Sequence, residues 1–223
     1  MTHAFEHELA NLSQRLLTMG SQAENALILA VKALVDRDDE LARQVIDSDS
    51  VLDRLEIEVD ENSVHLLSKA PLATHLRLIT VAMKIAQNLE RVGDEATKIA
   101  KRSIELSQEP QLKPYVDIPR MAEMALAMLK DALDAFVHHQ PEKALAVIPR
   151  DKEVDALNKQ LHRELASFMI ETPATITRSL ALMVISKSIE RIADHAKNVA
   201  EEVVYLYEAR DIRHQGKSSI PPQ

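Results

Sequence analysis

An all-α chain, arranged as a tandem pair of three-helix bundles, is predicted by three features of the sequence. One acidic pattern is written twice, one hundred residues apart; apolar residues recur at helical spacing; and only three Gly occur in 223 residues, alongside abundant Ala, Leu, Glu and Lys. Strong helix formers and scarce β-branched clusters favour helix over sheet.

The duplicated pattern is Glu90-Arg91-Val92-Gly93-Asp94 and Glu190-Arg191-Ile192-Ala193-Asp194, and the match extends from Leu89–Ala100 to Ile189–Ala200. A second match, offset by 102, lays Val45–Asp53 over Val147–Asp155, so that Asp49 corresponds to Asp151 and Asp53 to Asp155. Each half therefore holds two acid-x-x-x-acid pairs. The change of two in register places a small deletion near Thr172-Pro173, and such changes belong in loops.

Six helices are expected, near 5–36, 39–69, 74–107, 117–138, 142–170 and 174–208. The second carries the stripe Leu52, Leu55, Val59 and Leu66, and the third carries Ile85, Leu89, Val92, Ala96 and Ile99 at 4-3-4-3 spacing. In the second half the fifth helix repeats the former with Val154, Leu157, Leu161, Leu165 and Phe168. The sixth repeats the latter with Ile185, Ile189, Ile192, Ala196, Val199, Val203 and Leu206. Such spacing is the seam of a bundle. The first and fourth helices complete the two trios. Pro71, Pro141 and Pro173 fall at helix starts or turns, where a missing N–H is tolerated. Gln108–Pro114, with two prolines and no seam, reads as the linker. The expected domains are thus 1–110 and 111–210, followed by a disordered tail, 211–223.

Composition narrows the function classes. Apolar residues make up 46% of the chain with no Trp, three Tyr and three Phe, so the core is aliphatic. The absence of Cys removes disulfides, thiolate zinc sites and thiol catalysis, and fits a reducing cytosol. The start, Met1 to Glu8, has neither the basic region nor the apolar core of a signal peptide. Charges interrupt every apolar run well short of the roughly 18 residues of a membrane span, so a soluble protein is expected. A net charge of −8 argues against nucleic acid as the main partner.

The eight duplicated carboxylates, Asp49, Asp53, Glu90, Asp94, Asp151, Asp155, Glu190 and Asp194, are the candidate site. At roughly 100° per residue Glu90 and Asp94 point away from the seam, and the acids are expected not to be buried. For a single pair, a solvated acidic face is the ordinary explanation. Like charges at i, i+4 nevertheless destabilise a helix by a few tenths of a kcal/mol, and four such pairs are kept. Lys98, four residues after Asp94, offers a salt bridge in the first copy; Asn198 takes its place in the second, which points to an external positive charge. Carboxylate-only sites suit hard cations: magnesium, manganese, calcium or oxidised iron. Glu56 and Asp60, with their counterparts Asn158 and His162, are further possible ligands, although polar turnover on an exposed face explains them as well. Gly93, opposite Ala193, costs its helix about 1 kcal/mol and leaves room for close approach.

Catalytic constellations are missing. No Glu has His three residues later, as a ferritin-like di-iron site requires, and there is neither a glycine-rich phosphate loop nor a Gly-x-Ser-x-Gly elbow. His138-His139 reads as a helix cap. His65 and His162 could be phosphoacceptors, but neither recurs between the halves.

The twin segments Glu-Arg-Val-Gly-Asp-Glu-Ala and Glu-Arg-Ile-Ala-Asp-His-Ala, the Asp-x-x-x-Asp pairs before them and the six-helix duplication resemble the PhoU family of phosphate-uptake regulators along nearly the whole chain. The resemblance implies two three-helix bundles and multinuclear sites for iron or another metal, with manganese, magnesium and zinc as the alternatives. By that match Asp49, Asp53, Glu90 and Asp94 would form the first site, and Asp151, Asp155, Glu190 and Asp194 the second. It further implies a cytoplasmic, often dimeric, non-catalytic repressor of the phosphate regulon. Such a protein would act between the ATPase subunit of a phosphate ABC transporter and a sensor histidine kinase, peripheral to the membrane through those partners. The sequence departs from the pattern at Ala193 and His195, where the first copy has Gly93 and Glu95. A metal-dependent enzyme on a helical bundle and a metal-free scaffold are the competing readings.

Overall fold

The computed structural model describes residues 2–70 and 72–212. Helix α1 (Thr2–Asp36) ends where Arg37 takes a φ of 56°. Asp38 then accepts hydrogen bonds at 3.0 Å from the backbone N–H groups of Glu40 and Leu41 and starts α2 (Asp39–Leu67). This is the N-cap geometry that satisfies donors with no partner inside the helix. Helix α3 (Ala73–Ser107) closes the first trio. Helix α4 (Asp117–His138) ends at His139, which adopts the left-handed conformation at φ 58°. Its ring stacks on Tyr207, with centroids 4.8 Å apart. The histidine pair therefore terminates a helix, as expected.

The fifth expected helix, 142–170, is not continuous. It consists of α5 (Pro141–Val147), a 3-10 turn (Ile148–Arg150) and α6 (Asp151–Glu171). Pro149 lacks the N–H that would bond to the Leu145 carbonyl, and its ring crowds that carbonyl, so the helix breaks there. A second 3-10 turn (Pro173–Thr175) leads into α7 (Ile176–Glu208). Among the described residues there is no strand, and no helix is long and apolar enough to cross a membrane. Pro71 and residues 213–223 of the expected tail lie outside the described residues.

Helices α1, α2 and α3 pack on one another, α4 to α7 do likewise, and α3 and α7 lie side by side between the two groups. The core is aliphatic: Leu16, Met19, Ile85, Leu89, Ile99, Met128, Ile185 and Ile189 have no exposed surface. Because α3 and α7 each face more than one neighbour, they bury polar residues beside the apolar seam. Glu95 and Glu202 are buried there. Lys98 at 2.8 Å and Arg191 at 3.3 Å neutralise Glu95, and Lys84 lies 3.1 Å from Glu202. The His195 ring and the Asn88 amide oxygen are 3.0 Å apart. Burial holds this histidine below its ordinary range.

Candidate functional site

The first-half acids stand on two neighbouring helices. Asp49 and Asp53 rise from α2, and Glu90 and Asp94 from α3. Their mutual repulsion shows how near they lie. Burial pushes the Asp49 carboxyl up against a hydrogen bond from Thr97, with Asp53 and Asp94 adding to the rise. Glu90 is pushed up to about 7, by burial first and then by Asp94, with Arg91 opposing. Glu56 is raised by burial, then by Asp60, with Asp53 and Asp94 adding. Glu56 thus stands near Asp53, Asp60 and Asp94, with Arg91 opposing their effect.

Arg91 lies 3.3 Å from Glu90 and 3.1 Å from Asp94, and Lys101 stands near Asp49. The geometry of Arg91 leaves Glu90 Oε2 buried and without a hydrogen bond. Gly93 lets α2 come close: a Cβ at that position would collide with the tip of Leu52 and would stand 3.7 Å from Asp49 Oδ1. The small residue therefore serves helix approach right at the carboxylates.

The second-half acids correct two expectations. Asp151 and Glu190 are buried, with relative exposures of 7% and 8%, where solvent-facing carboxylates were expected. Their cation is also present inside the chain. Lys197 Nζ lies 2.9 Å from Asp151 Oδ2 and 3.5 Å from Asp194 Oδ1, and Lys187 Nζ lies 2.5 Å from Glu190 Oε2. Lys98, expected to serve Asp94, pairs with Glu95 instead. The Asp151 carboxyl is raised by burial against Lys197, with Asp194 and Asp155 adding. Glu190 is raised by burial against Lys187, with Asp194 and Asp155 adding. The four second-half acids thus share one neighbourhood, as the four first-half acids do.

The remaining candidates divide. Asn158 is buried, with its Oδ1 lacking a hydrogen bond. His162 Nε2 lies 3.0 Å from Ser186 Oγ and 3.3 Å from the Met183 carbonyl, which ties it into the α6–α7 contact. Lys187 and Lys197 are the members that sequence reasoning overlooked. Equal-offset comparison does reveal them, because Gln87 and Thr97 occupy the corresponding places.

Two helical trios, each with paired carboxylates on adjacent helices, define an all-α tandem-repeat protein. The model of the PhoU domain matches residues 16–103 and again 118–203. The chain belongs to the PhoU family. It is 39% identical over 218 residues to the phosphate-specific transport system accessory protein PhoU homolog of Pseudomonas putida, a match spanning 97% of this chain and 85% of that protein. Against the phosphate-specific transport system accessory protein PhoU of Escherichia coli K12 the identity is 33% over 217 residues, spanning 97% and 90%. The crystal structure of PhoU from Pseudomonas aeruginosa superposes with a TM-score of 0.90 at 39% identity, over 92% of this chain and all of that one. That of the phosphate transport system regulatory protein PhoU from Streptococcus pneumoniae superposes at 0.88 with 29% identity, over 93% and 99%.

The two acidic sites do not fit a metal equally. As they stand, the carboxylates are neighbours and not a closed ligand set: among the described residues no three His, Asp or Glu side chains are gathered tightly enough to hold an ion. In the first site the buried Glu90 Oε2 has Arg91 3.3 Å away and no hydrogen bond, and five acids outnumber the cations beside them, which suits an arriving cation. In the second, ammonium groups already lie against Asp151 Oδ2 and Glu190 Oε2, while Asp151 Oδ1 is buried without a hydrogen bond.

Proposed function

We propose that this protein is a non-catalytic regulatory adaptor of phosphate uptake, an accessory component of a phosphate-specific transport system that represses the phosphate regulon. The observation that carries the reading is the pairing of a PhoU domain match in each half with full-length similarity to accessory proteins of that system. Its partners would be the ATPase subunit of a phosphate ABC transporter and a sensor histidine kinase. The two repeats, 1–110 and 111–210, would present faces to them from the cytoplasmic side of the membrane, with a homodimer as the working form.

Metal belongs to this proposal at the first site. Asp49, Asp53, Glu56, Glu90 and Asp94 would hold a hard cation such as manganese, magnesium or iron, drawing α2 and α3 together across Gly93. A bound cation would supply positive charge to these half-buried and exposed carboxylates. The chain's own contribution is to hold five acids on adjoining faces with Arg91 and Lys101 as the cations beside them. Deleting the gene should leave phosphate-responsive genes switched on in phosphate-replete cells. Normal repression in that strain would overturn the adaptor reading. Complementation with Glu90→Gln should restore protein levels and repress only partially, which separates the site from the scaffold.

A further inference from the structure

We infer that Lys197 is a resident counter-ion of the second acidic site, so that the two repeats have divided one design: the first repeat takes its cation from solution and the second carries its own. Resting on the metal reading of the first site only for that contrast, the assignment of Lys197 stands on two contacts of its own and one of Lys187. Its ammonium lies 2.9 Å from Asp151 on α6 and 3.5 Å from Asp194 on α7, and so bridges the two helices that a metal would bridge. Lys187 lies 2.5 Å from Glu190, which supplies a second internal charge at the other end of the motif.

The corresponding residues of the first repeat, Thr97 and Gln87, are neutral. Five acids there, Asp49, Asp53, Glu56, Glu90 and Asp94, have Arg91 against Glu90 and Asp94 and Lys101 near Asp49, whereas in the second repeat four acids have two lysines in direct contact. Two further features favour charge satisfaction in the second repeat. Asp151 lies in the first turn of α6, where the helix dipole favours a carboxylate, although its Oδ1 accepts no hydrogen bond. Asn158 stands where the first repeat has Glu56 counted from the corresponding acids, so one carboxylate fewer needs compensation. A metal ion approaching Asp151 and Asp194 would have to displace an ammonium that is held from both sides and is less than one-third exposed. Like charges cannot share those oxygens.

Manganese(II) titrations of the full-length protein by calorimetry, with thermal denaturation in parallel, test the division. Wild-type uptake should vanish in Asp53→Asn and persist in Asp155→Asn. Lys197→Thr, which installs the first repeat's residue, should add a second binding event, and a further Asp155→Asn change should remove it. Lys197→Met, which keeps the aliphatic stem, should show the same gain should the Thr variant fold poorly. Thr97→Lys should silence the first site. A wild-type signal halved by Asp155→Asn, or folded Lys197 variants without a new event, would overturn the assignment. A wild-type protein that takes up no manganese while Lys197→Met does would overturn the metal reading of the first site and leave Lys197 as the counter-ion of the second.

Discussion

The second helix of the first repeat and its counterpart in the second repeat begin from matching sequence and reach different structures. In the first repeat α2 runs unbroken from Asp39 to Leu67, and Asp49 stands within it. In the second, Pro149 replaces Asp47, the helix breaks into α5 and α6, and Asp151 becomes the first residue of a new helix. The acid is preserved, but its surroundings are not: mid-helix beside Thr97 in one case, at a positive helix end beneath Lys197 in the other. Duplication thus copies where a carboxylate sits more faithfully than it copies what neutralises it, because each is set by different residues.

The comparison can be broken where the repeats are alike and sharpened where they differ. Leu89 and Ile189 are equivalent and fully buried. Leu89→Ala and Ile189→Ala should each lower stability by about 2–5 kcal/mol in urea denaturation, and a large inequality would mean that the two cores are not equivalent. Lys197→Met in metal-free buffer should cost about 1–3 kcal/mol, the penalty of leaving a buried acceptor unsatisfied. Thr97→Val in the first repeat should cost about 1–2 kcal/mol, since the half-buried Asp49 carboxylate loses a hydroxyl donor. Pro149→Ala should let the new N–H of residue 149 bond to Leu145 and join α5 to α6. Amide exchange should then slow across 149–153, with stability changing by roughly 1 kcal/mol or less. Gly93→Ala is the smallest effect: a helix-propensity gain of about 1 kcal/mol against a similar penalty for displacing Leu52. Pairing it with Leu52→Ala in a double-mutant cycle should reveal coupling, and simple additivity would show that α2 does not approach through this contact.

Much of the architecture was legible in the chain because apolar spacing is local information. The seams through Leu89 and Ile189 define α3 and α7, and Asp38 and Pro141 mark helix starts. Breaking the fifth helix at Pro149 was also readable, but the strong stripe through Leu157 and Leu161 masked it. The candidate acids were found from their repetition alone. Burial of Asp151 and Glu190 was not foreseen, because a helical wheel drawn from one seam omits the second neighbour. α7 faces both α6 and α3, and its polar side is covered as well. Lys197 escaped for a similar reason. The i, i+4 rule directs attention to Asn198, whereas Lys197 reaches across to another helix for its shorter contact.

The segment between the repeats behaves differently from an ordinary flexible tether. From the first half, Arg37 donates to the carbonyls of Ser107 at 2.7 Å and Glu109 at 2.6 Å. From the second, Arg178 donates to the carbonyl of Pro110 at 2.9 Å and lies 3.3 Å from the Glu109 carboxylate. Two guanidiniums thus grip adjoining residues from opposite sides, at one end of the long α3–α7 contact. Independent swivelling of the halves would require both grips to release along with the packed helices. The molecule should therefore tumble as one rotor, with amides in both halves reporting a single correlation time, and a torque applied by a partner to one half would reach the other undiminished by slack in the joint.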